Sequence, residues 1–203
     1  MAASQTTETS HDEAMRERIV VAAAECFTRL GIAKTSIQDV ARLSDVSRGT
    51  VYRYFEDRQT LIEAGVEHGA NQYYRDAASA MDRKDDLAAQ IGAFAEVAAR
   101  TQLEHRTRDR IQDGDSTLMR LVVSDRKRTL RRHADFLRAY VDAAVERGEV
   151  DDSIDVDEAC EWLARIIVSL TVLQSSLTFD LKKPASVAAF VERHAVDGLR
   201  PTR

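Results

Sequence analysis

Groups that bind anions and nucleobases are concentrated in one short segment of this 203-residue chain, residues 35–58. Hydroxyls beside the free backbone N–H groups of a helix start suit phosphate oxygens. Arg48, at the start of the second half, carries a planar fork that pairs with guanine O6 and N7. The segment is therefore a candidate nucleic-acid interface, with these residues: Thr35, Ser36, Ser47, Arg48, Gly49, Thr50, Tyr52, Arg53, Tyr54 and Arg58.

Two short helices and a tight turn would position these side chains. Ser36 and Ser47 are placed to cap the two helices. The layout is that of a helix-turn-helix, whose second helix enters the DNA major groove, although a helical hairpin in a core has the same periodicity. The apolar residues that recur at steps of three and four are Ile37, Val40 and Ala41, then Val51 and Phe55.

Residues 35–61 resemble the TetR family of bacterial transcription regulators, most specifically in the core Val46-Ser47-x-Gly49-Thr50-x-Tyr52-x-Tyr54-Phe55. The resemblance extends back through Phe27 and Gly31, and it implies that Tyr54 and Arg58 hold phosphates. The turn departs from the family pattern, which usually has Ala-Gly where this chain has Ser44-Asp45. Aspartate adopts the left-handed conformation more readily than most residues, so we expect an intact but slightly strained turn.

The remaining composition predicts an all-α protein of two domains. Two prolines, eight glycines and no alternating apolar run favour helices throughout. Residues 1–9 are predicted to be a disordered tail, 10–57 a three-helix DNA-binding domain, and 58–203 a helical effector-binding and dimerisation domain. Helix 1 is expected to start near Ser10 and to end at Gly31. Asp57 is expected to cap a fourth helix that continues toward Met81.

The net charge of −5 disfavours a nucleic-acid partner when taken alone. Its distribution is more permissive, because residues 16–58 hold eight Lys or Arg against six Asp or Glu, a balance of +2. Residues 1–15 carry −3 and residues 59–203 carry −4. Basic charge is thus relatively concentrated on the candidate interface.

The last two predicted helices, 157–178 and 184–199, are candidates for a dimer interface. From Trp162 to Leu173 the first of them is apolar on nearly every face, including Leu170, so it must be covered on all sides. The resemblance implies that these helices pair with those of a second subunit into a four-helix interface. A fully buried core helix of a monomer is the alternative.

Bulky side chains on different predicted helices of the second domain could line a ligand pocket: Phe94, Met119, Phe136, Tyr140 and Trp162. Such walls suit a hydrophobic or acyl-type effector held by one or two polar groups. The basic run at 126–132 either binds the anionic end of that effector or is a solvated helix face. Close packing of the five residues without a cavity is the alternative.

Features of other functional classes are missing from the sequence. No GxSxG, HExxH or phosphate-cradling glycine loop occurs, so we expect no enzyme, metal or cofactor. Cys26 and Cys160 lie far apart and are expected to be reduced thiols. Residues 1–9 lack the organisation of a signal peptide, and the stretch 162–173 is too short to span a bilayer. We therefore expect a soluble, cytoplasmic protein.

Together these patterns predict a transcription regulator, most simply a repressor that binds a palindromic operator as a homodimer. A small, largely apolar effector would release it from double-stranded DNA. The competing interpretation is a constitutive or architectural DNA-binding protein whose second domain only dimerises. Activation instead of repression, the effector and the operator all stay open at this level.

Overall fold

The computed structural model describes residues 2–112, 125–173 and 175–201, with side chains described for 11–104, 125–173 and 175–201. These residues form α-helices, one short 3-10 helix at Asp197–Leu199 and no strand, so the all-α prediction is confirmed. The helices are α1 Ala2–Leu30, α2 Ile37–Leu43, α3 Arg48–Tyr54, α4 Arg58–Met81, α5 Leu87–Gln112, α6 Arg126–Glu146, α7 Val156–Val172 and α8 Pro184–His194.

The chain divides into two compact units, residues 1–72 and 73–203. This division lies inside α4, whereas the sequence suggested a boundary at 57/58. Asp57 caps α4 as expected, because its Oδ1 accepts from the Thr60 N–H at 2.7 Å. That bond, together with one from the Thr60 hydroxyl, lowers the pKa of Asp57.

Helix α1 begins at Ala2, so the expected start near Ser10 is wrong. Extending an existing helix by a turn costs far less than nucleating one, and the first ten residues contain no glycine or proline to stop it. The helix ends where the sequence predicts, because Gly31 has a φ of +79°.

The first unit is organised around a core that α1 shares with α2, α3 and the beginning of α4. Helices α1 and α4 approach closely at Gly65, where an added Cβ would lie 2.6 Å from Cε2 of Phe27. Only a residue without a side chain fits there. The buried residues of this core include Ile19, Ala23, Val40, Val51, Phe55 and Leu61.

The second unit has α5 at its centre. Its apolar face is buried as the spacing predicts, and it packs closely on α8 at Gly92, where an added Cβ would lie 2.9 Å from Glu192 Cβ. Gly148, with a φ of +72°, lies just beyond the end of α6. The four predicted residues of the α5 stripe are Leu87, Ile91, Phe94 and Ala98. The expected loop near Gly114 and the segment 116–124 lie outside the described residues.

Helix α7 has one face in its own core and another on the surface. Leu163, Ile167 and Leu170 are buried, whereas Trp162 is 50% and Leu173 63% exposed. The helix ends at Val172 and not at 178. The following turn is held by the Ser176 hydroxyl, which accepts from the N–H groups of Thr178 and Phe179. Such local bonds of serine compete with helix continuation.

Candidate nucleic-acid interface

Helix α2 begins at a complete capping box. The Ser36 Oγ accepts from the Asp39 N–H at 3.2 Å, and Asp39 Oδ2 accepts from both the Ser36 N–H at 3.0 Å and the Ser36 hydroxyl at 2.6 Å. Those bonds from Ser36 lower the pKa of Asp39. The buried Thr35 hydroxyl donates to the Gly31 carbonyl at 2.8 Å. Both hydroxyl protons are therefore used inside the protein, and the two residues position the start of α2.

The turn between α2 and α3 shows how this chain replaces the usual Ala-Gly. Ser44 is buried, and its hydroxyl donates to the Val40 carbonyl at 2.7 Å. Asp45 has a φ of +52° and is the only described non-glycine residue in the left-handed region. The Val46 N–H then donates to the Ala41 carbonyl at 2.9 Å. The expectation of an intact turn with a left-handed aspartate is confirmed.

Helix α3 begins at Ser47, whose Oγ accepts from the Thr50 N–H at 3.0 Å. The two hydroxyls of Ser47 and Thr50 lie 2.9 Å apart, so only one of them donates to the other. The second hydroxyl proton stays available to an outside acceptor. At Gly49 an added Cβ would meet only Ser47 Oγ, at 3.7 Å, so nothing in the described protein requires a glycine there.

Arg48 and Tyr52 project from the outer side of α3. Both are exposed, Tyr52 by 47%, and neither makes a hydrogen bond or ion pair with any described residue. A guanidinium and a phenol with their full hydrogen-bonding capacity thus lie one turn apart on the same surface. This arrangement suits hydrogen bonding to base edges and phosphates.

Arg58 joins the start of α4 to the loop that precedes α2. Its Nη2 donates to the carbonyls of Ile32, at 2.6 Å, and Thr35, at 3.2 Å. The side chain also lines a surface depression of about 430 Å³ together with Arg48 and residues 33–38. Arg58 therefore positions this loop in the structure, a role that sequence spacing does not reveal.

Tyr54 is engaged in a three-residue chain of hydrogen bonds at the end of α3. Its hydroxyl donates to Asp12 Oδ1 at 2.5 Å, and Arg53 Nη2 donates to the same phenol oxygen at 3.1 Å. The Arg53 guanidinium also lies 4.9 Å from the Tyr54 ring centroid. Asp12, which contacts Tyr54, and Lys34 and Gln38, which line the depression beside Arg48 and Arg58, are candidate residues that the sequence interpretation did not include. Lys34 and Gln38 flank the predicted cap, whereas no local pattern points to Asp12.

In the second unit, three of the five predicted pocket residues come together. Phe94, Phe136 and Tyr140 form a continuous aromatic group, with the Phe94 and Phe136 ring centroids 5.2 Å apart. Trp162 is not part of it, because its half-exposed indole donates to the Ala195 carbonyl at 3.0 Å. Met119 lies outside the described residues. The rings that complete the group belong to Tyr73, Tyr74 and His133.

Burial sets the electrostatics of this aromatic group. It lowers the pKa of His133, with a smaller contribution in the same direction from Arg132, while the hydrogen bond to the Thr129 carbonyl opposes the shift. Burial and the hydrogen bond to Asp82 raise the pKa of Tyr140 to about 12. The imidazole and the phenol are therefore neutral at physiological pH, so the group suits apolar or neutral molecules.

Gln102, further along α5, is 6% exposed, and neither the oxygen nor the nitrogen of its side-chain amide has a hydrogen-bond partner among the described residues. Burying an unpaired amide costs about 1–3 kcal/mol.

The basic run at 126–132 forms the first turns of α6, and its Arg132 guanidinium lies 5.1 Å from the Tyr74 ring centroid.

Within the described ranges, no group of three or more His, Cys, Asp or Glu could hold a metal ion. Cys26 and Cys160 are buried free thiols, and burial raises the pKa of each. None of the described helices is both long and apolar enough for a bilayer crossing.

The geometry is that of a helix-turn-helix protein, and comparison with known proteins agrees. Residues 19–64 match the family described as bacterial regulatory proteins, tetR family. The HTH-type transcriptional regulator TtgR of Pseudomonas putida is 30% identical over 95 residues, which is 46% of this chain and 45% of that protein. The match thus spans less than half the length of this curated relative. Rv1255c of Mycobacterium tuberculosis, an uncharacterized HTH-type transcriptional regulator, is 24% identical and covers 88% of this chain and 84% of its own.

Solved structures share the fold over nearly the whole chain. A putative TetR-family transcriptional regulator from Mesorhizobium loti has a TM-score of 0.65 at 16% identity, covering 93% of this chain and 98% of that one. The SmeT–triclosan complex has a TM-score of 0.57 at 18% identity, covering 93% and 92%. Residues 19–64 thus match the DNA-binding region of the TetR family of bacterial regulatory proteins, and the chain has the fold of solved regulators described as TetR-family.

Proposed function

We propose that this protein is a ligand-responsive transcription regulator, a repressor that binds a palindromic operator as a homodimer. The observation that carries the proposal is the outer side of α3, where Arg48 and Tyr52 have no partner in the described protein and Gly49 is required by nothing inside it. Arg48 would read a guanine in the major groove, and Tyr52 would contact a thymine methyl. Arg53, Tyr54, Ser47 and Thr50 would contribute phosphate contacts.

The last two helices support a dimer. Val172 and Leu173 at the end of α7 and Phe190 on α8 are 39%, 63% and 36% exposed. Exposed large apolar side chains that form a contiguous surface patch often mark an interface, so these three are the candidate residues of the dimer surface. Two symmetric copies would also provide enough base contacts for a specific site, since a single recognition helix reads only a few base pairs.

The aromatic group and Gln102 support an effector site in the second unit. The apolar side chains of Phe94, Phe136 and Tyr140 would contact the hydrophobic part of an effector. The unpaired Gln102 amide would hydrogen bond to neutral donor and acceptor groups of the same effector. The related fold of SmeT has been solved with triclosan. For an effector to lower the DNA affinity tenfold, it must bind the DNA-incompetent state more tightly than the DNA-binding state. The difference in binding free energy must be about 1.4 kcal/mol.

Selection of bound duplexes from a random-sequence library tests the proposed sequence-specific DNA binding. The wild-type protein should enrich a palindrome, and Arg48→Ala should cost about 1–3 kcal/mol on that duplex and relax preference at one position per half-site. Equal losses on selected and scrambled duplexes would assign Arg48 to phosphate and not to bases. Failure to enrich any sequence would contradict a specific regulator.

A thermal-shift screen of fatty acids, acyl-coenzyme A esters and hydrophobic drugs, repeated with the selected duplex present, tests the effector part. A compound that stabilises the free protein and releases it from DNA is expected. Gln102→Met is the matched variant, since it should raise the melting temperature of the free protein yet reduce the shift that the compound causes. If no compound does both, the protein is a constitutive DNA-binding protein whose second unit only dimerises.

A further inference from the structure

Asp12 lies at the candidate interface although it belongs to the first half of α1. Its carboxylate accepts the Tyr54 hydroxyl at 2.5 Å, and Arg16, one turn further along the same face of α1, lies with its guanidinium 5.1 Å from the Phe55 ring centroid. Two adjacent turns of α1 thus contact the last residue of α3 and the residue that follows it. This contact places an anion beside side chains proposed to bind DNA phosphates.

The hydrogen-bonding capacity of Tyr54 is the central constraint. A phenol has one proton to donate, and Tyr54 gives it to Asp12 while its oxygen accepts from Arg53. In this arrangement the hydroxyl has no proton for a phosphate oxygen. The Asp12 charge also offsets part of the Arg53 charge through the shared phenol.

From this geometry we infer that Asp12 is a further residue of the DNA interface and that it limits affinity. The inference rests on the proposed function. When DNA binds, a phosphate oxygen must replace the Asp12 carboxylate as the acceptor of the Tyr54 proton, and the negative charge of Asp12 opposes the approach of that phosphate. Asp12 thereby sets the DNA affinity of the free protein below the value that Arg53 and Tyr54 alone would provide.

Binding to a fluorescein-labelled duplex of mixed sequence tests the inference, because phosphate contacts dominate non-specific affinity. Asp12→Ala and Asp12→Asn should tighten binding about three- to tenfold at low salt, as expected for removal of one repulsive charge near a phosphate. The gain should diminish as salt is raised, and the plot of log affinity against log salt should steepen by up to about one unit. Glu13→Ala is the matched control, since it removes the same charge from the neighbouring position of α1, and it should leave the affinity nearly unchanged.

A double-mutant cycle with Tyr54→Phe shows whether the effect acts through the phenol. The gain from Asp12→Ala should shrink in the Tyr54→Phe protein. The inference is overturned if folded Asp12→Ala and Asp12→Asn proteins bind no more tightly than the wild type, or if Glu13→Ala gains as much. It is likewise overturned by a gain of equal size in the Tyr54→Phe background. A wild-type protein that binds no duplex even at low salt would instead contradict the proposed function itself.

Discussion

At the scale of single residues, the candidate interface contains side chains of two kinds. Arg48 and Tyr52 face outward and have no hydrogen-bond partner among the described residues, whereas Thr35, Ser36 and Arg58 already bond to other parts of the protein. Residue type alone does not separate these kinds, because a hydroxyl or guanidinium suits either role. The role of each side chain depends on the partners that it has in the structure, so mutations of the two kinds should have different effects.

Arg58→Ala and Arg58→Lys should both destabilise the fold, by about 1 kcal/mol, since neither keeps the fork that bonds to the Ile32 and Thr35 carbonyls. Urea denaturation measures this loss. The lysine variant keeps the charge, so its salt slope of DNA binding should match the wild type, while alanine should flatten the slope by about one if Arg58 also holds a phosphate. Unchanged stability in both variants would contradict the positioning role.

His133 should make the stability of the second unit depend on pH. Burial lowers its pKa below the ordinary value of 6.5, so on acidification the unfolded state takes up a proton before the folded state does. The free energy of unfolding should therefore fall as the pH drops through about 6.5 toward the lowered value.

Chemical denaturation at about pH 7.5 and about pH 5.5 measures the effect. His133→Gln should reduce the difference between the two pH values, and His194→Gln, which changes an exposed histidine of α8, should not. A pH difference that is identical in the wild type and His133→Gln would show that His133 contributes nothing to it.

At the scale of elements, the close approach of α1 and α4 depends on one glycine. Gly65→Ala would place a Cβ 2.6 Å from the Phe27 ring and should destabilise the protein by about 1–3 kcal/mol. Gly69→Ala, one turn later in the same helix, meets nothing within 4 Å and should stabilise it by up to about 1 kcal/mol through helix propensity. Thermal unfolding of the pair gives the comparison, and shifts of the same sign would refute this account of the packing.

At the scale of the whole molecule, we propose that the outer face of α7 and α8 forms the dimer interface. Leu173→Asp should yield a folded monomer, because Leu173 is 63% exposed in the single chain and lies in the proposed dimer surface. Leu170→Asp is unsuitable for this test, since Leu170 is 8% exposed and a buried charge there should unfold the second unit.

Sedimentation together with circular dichroism distinguishes these outcomes. Leu43→Asp, which changes a leucine of α2 that is 40% exposed, is the control and should leave the oligomeric state unchanged. A dimer that survives Leu173→Asp would place the interface elsewhere.

The sequence by itself determined the features that depend on residues within about four positions of each other. The caps at Ser36 and Ser47, the left-handed Asp45 and the ends of α1 at Gly31 and α4 at Met81 are of this kind, because helix periodicity and capping are local.

Only the tertiary structure decided which distant groups meet. Asp12 and Tyr54 are 42 positions apart, and Arg58 reaches a carbonyl 26 positions away, so no local pattern reports either bond. Likewise, the apolar stretch from Trp162 to Leu173 does not reveal from its own residues that Leu170 is buried in the core and that Leu173 is exposed to solvent. That choice depends on which face the neighbouring helices cover, because hydrophobic burial has no direction of its own.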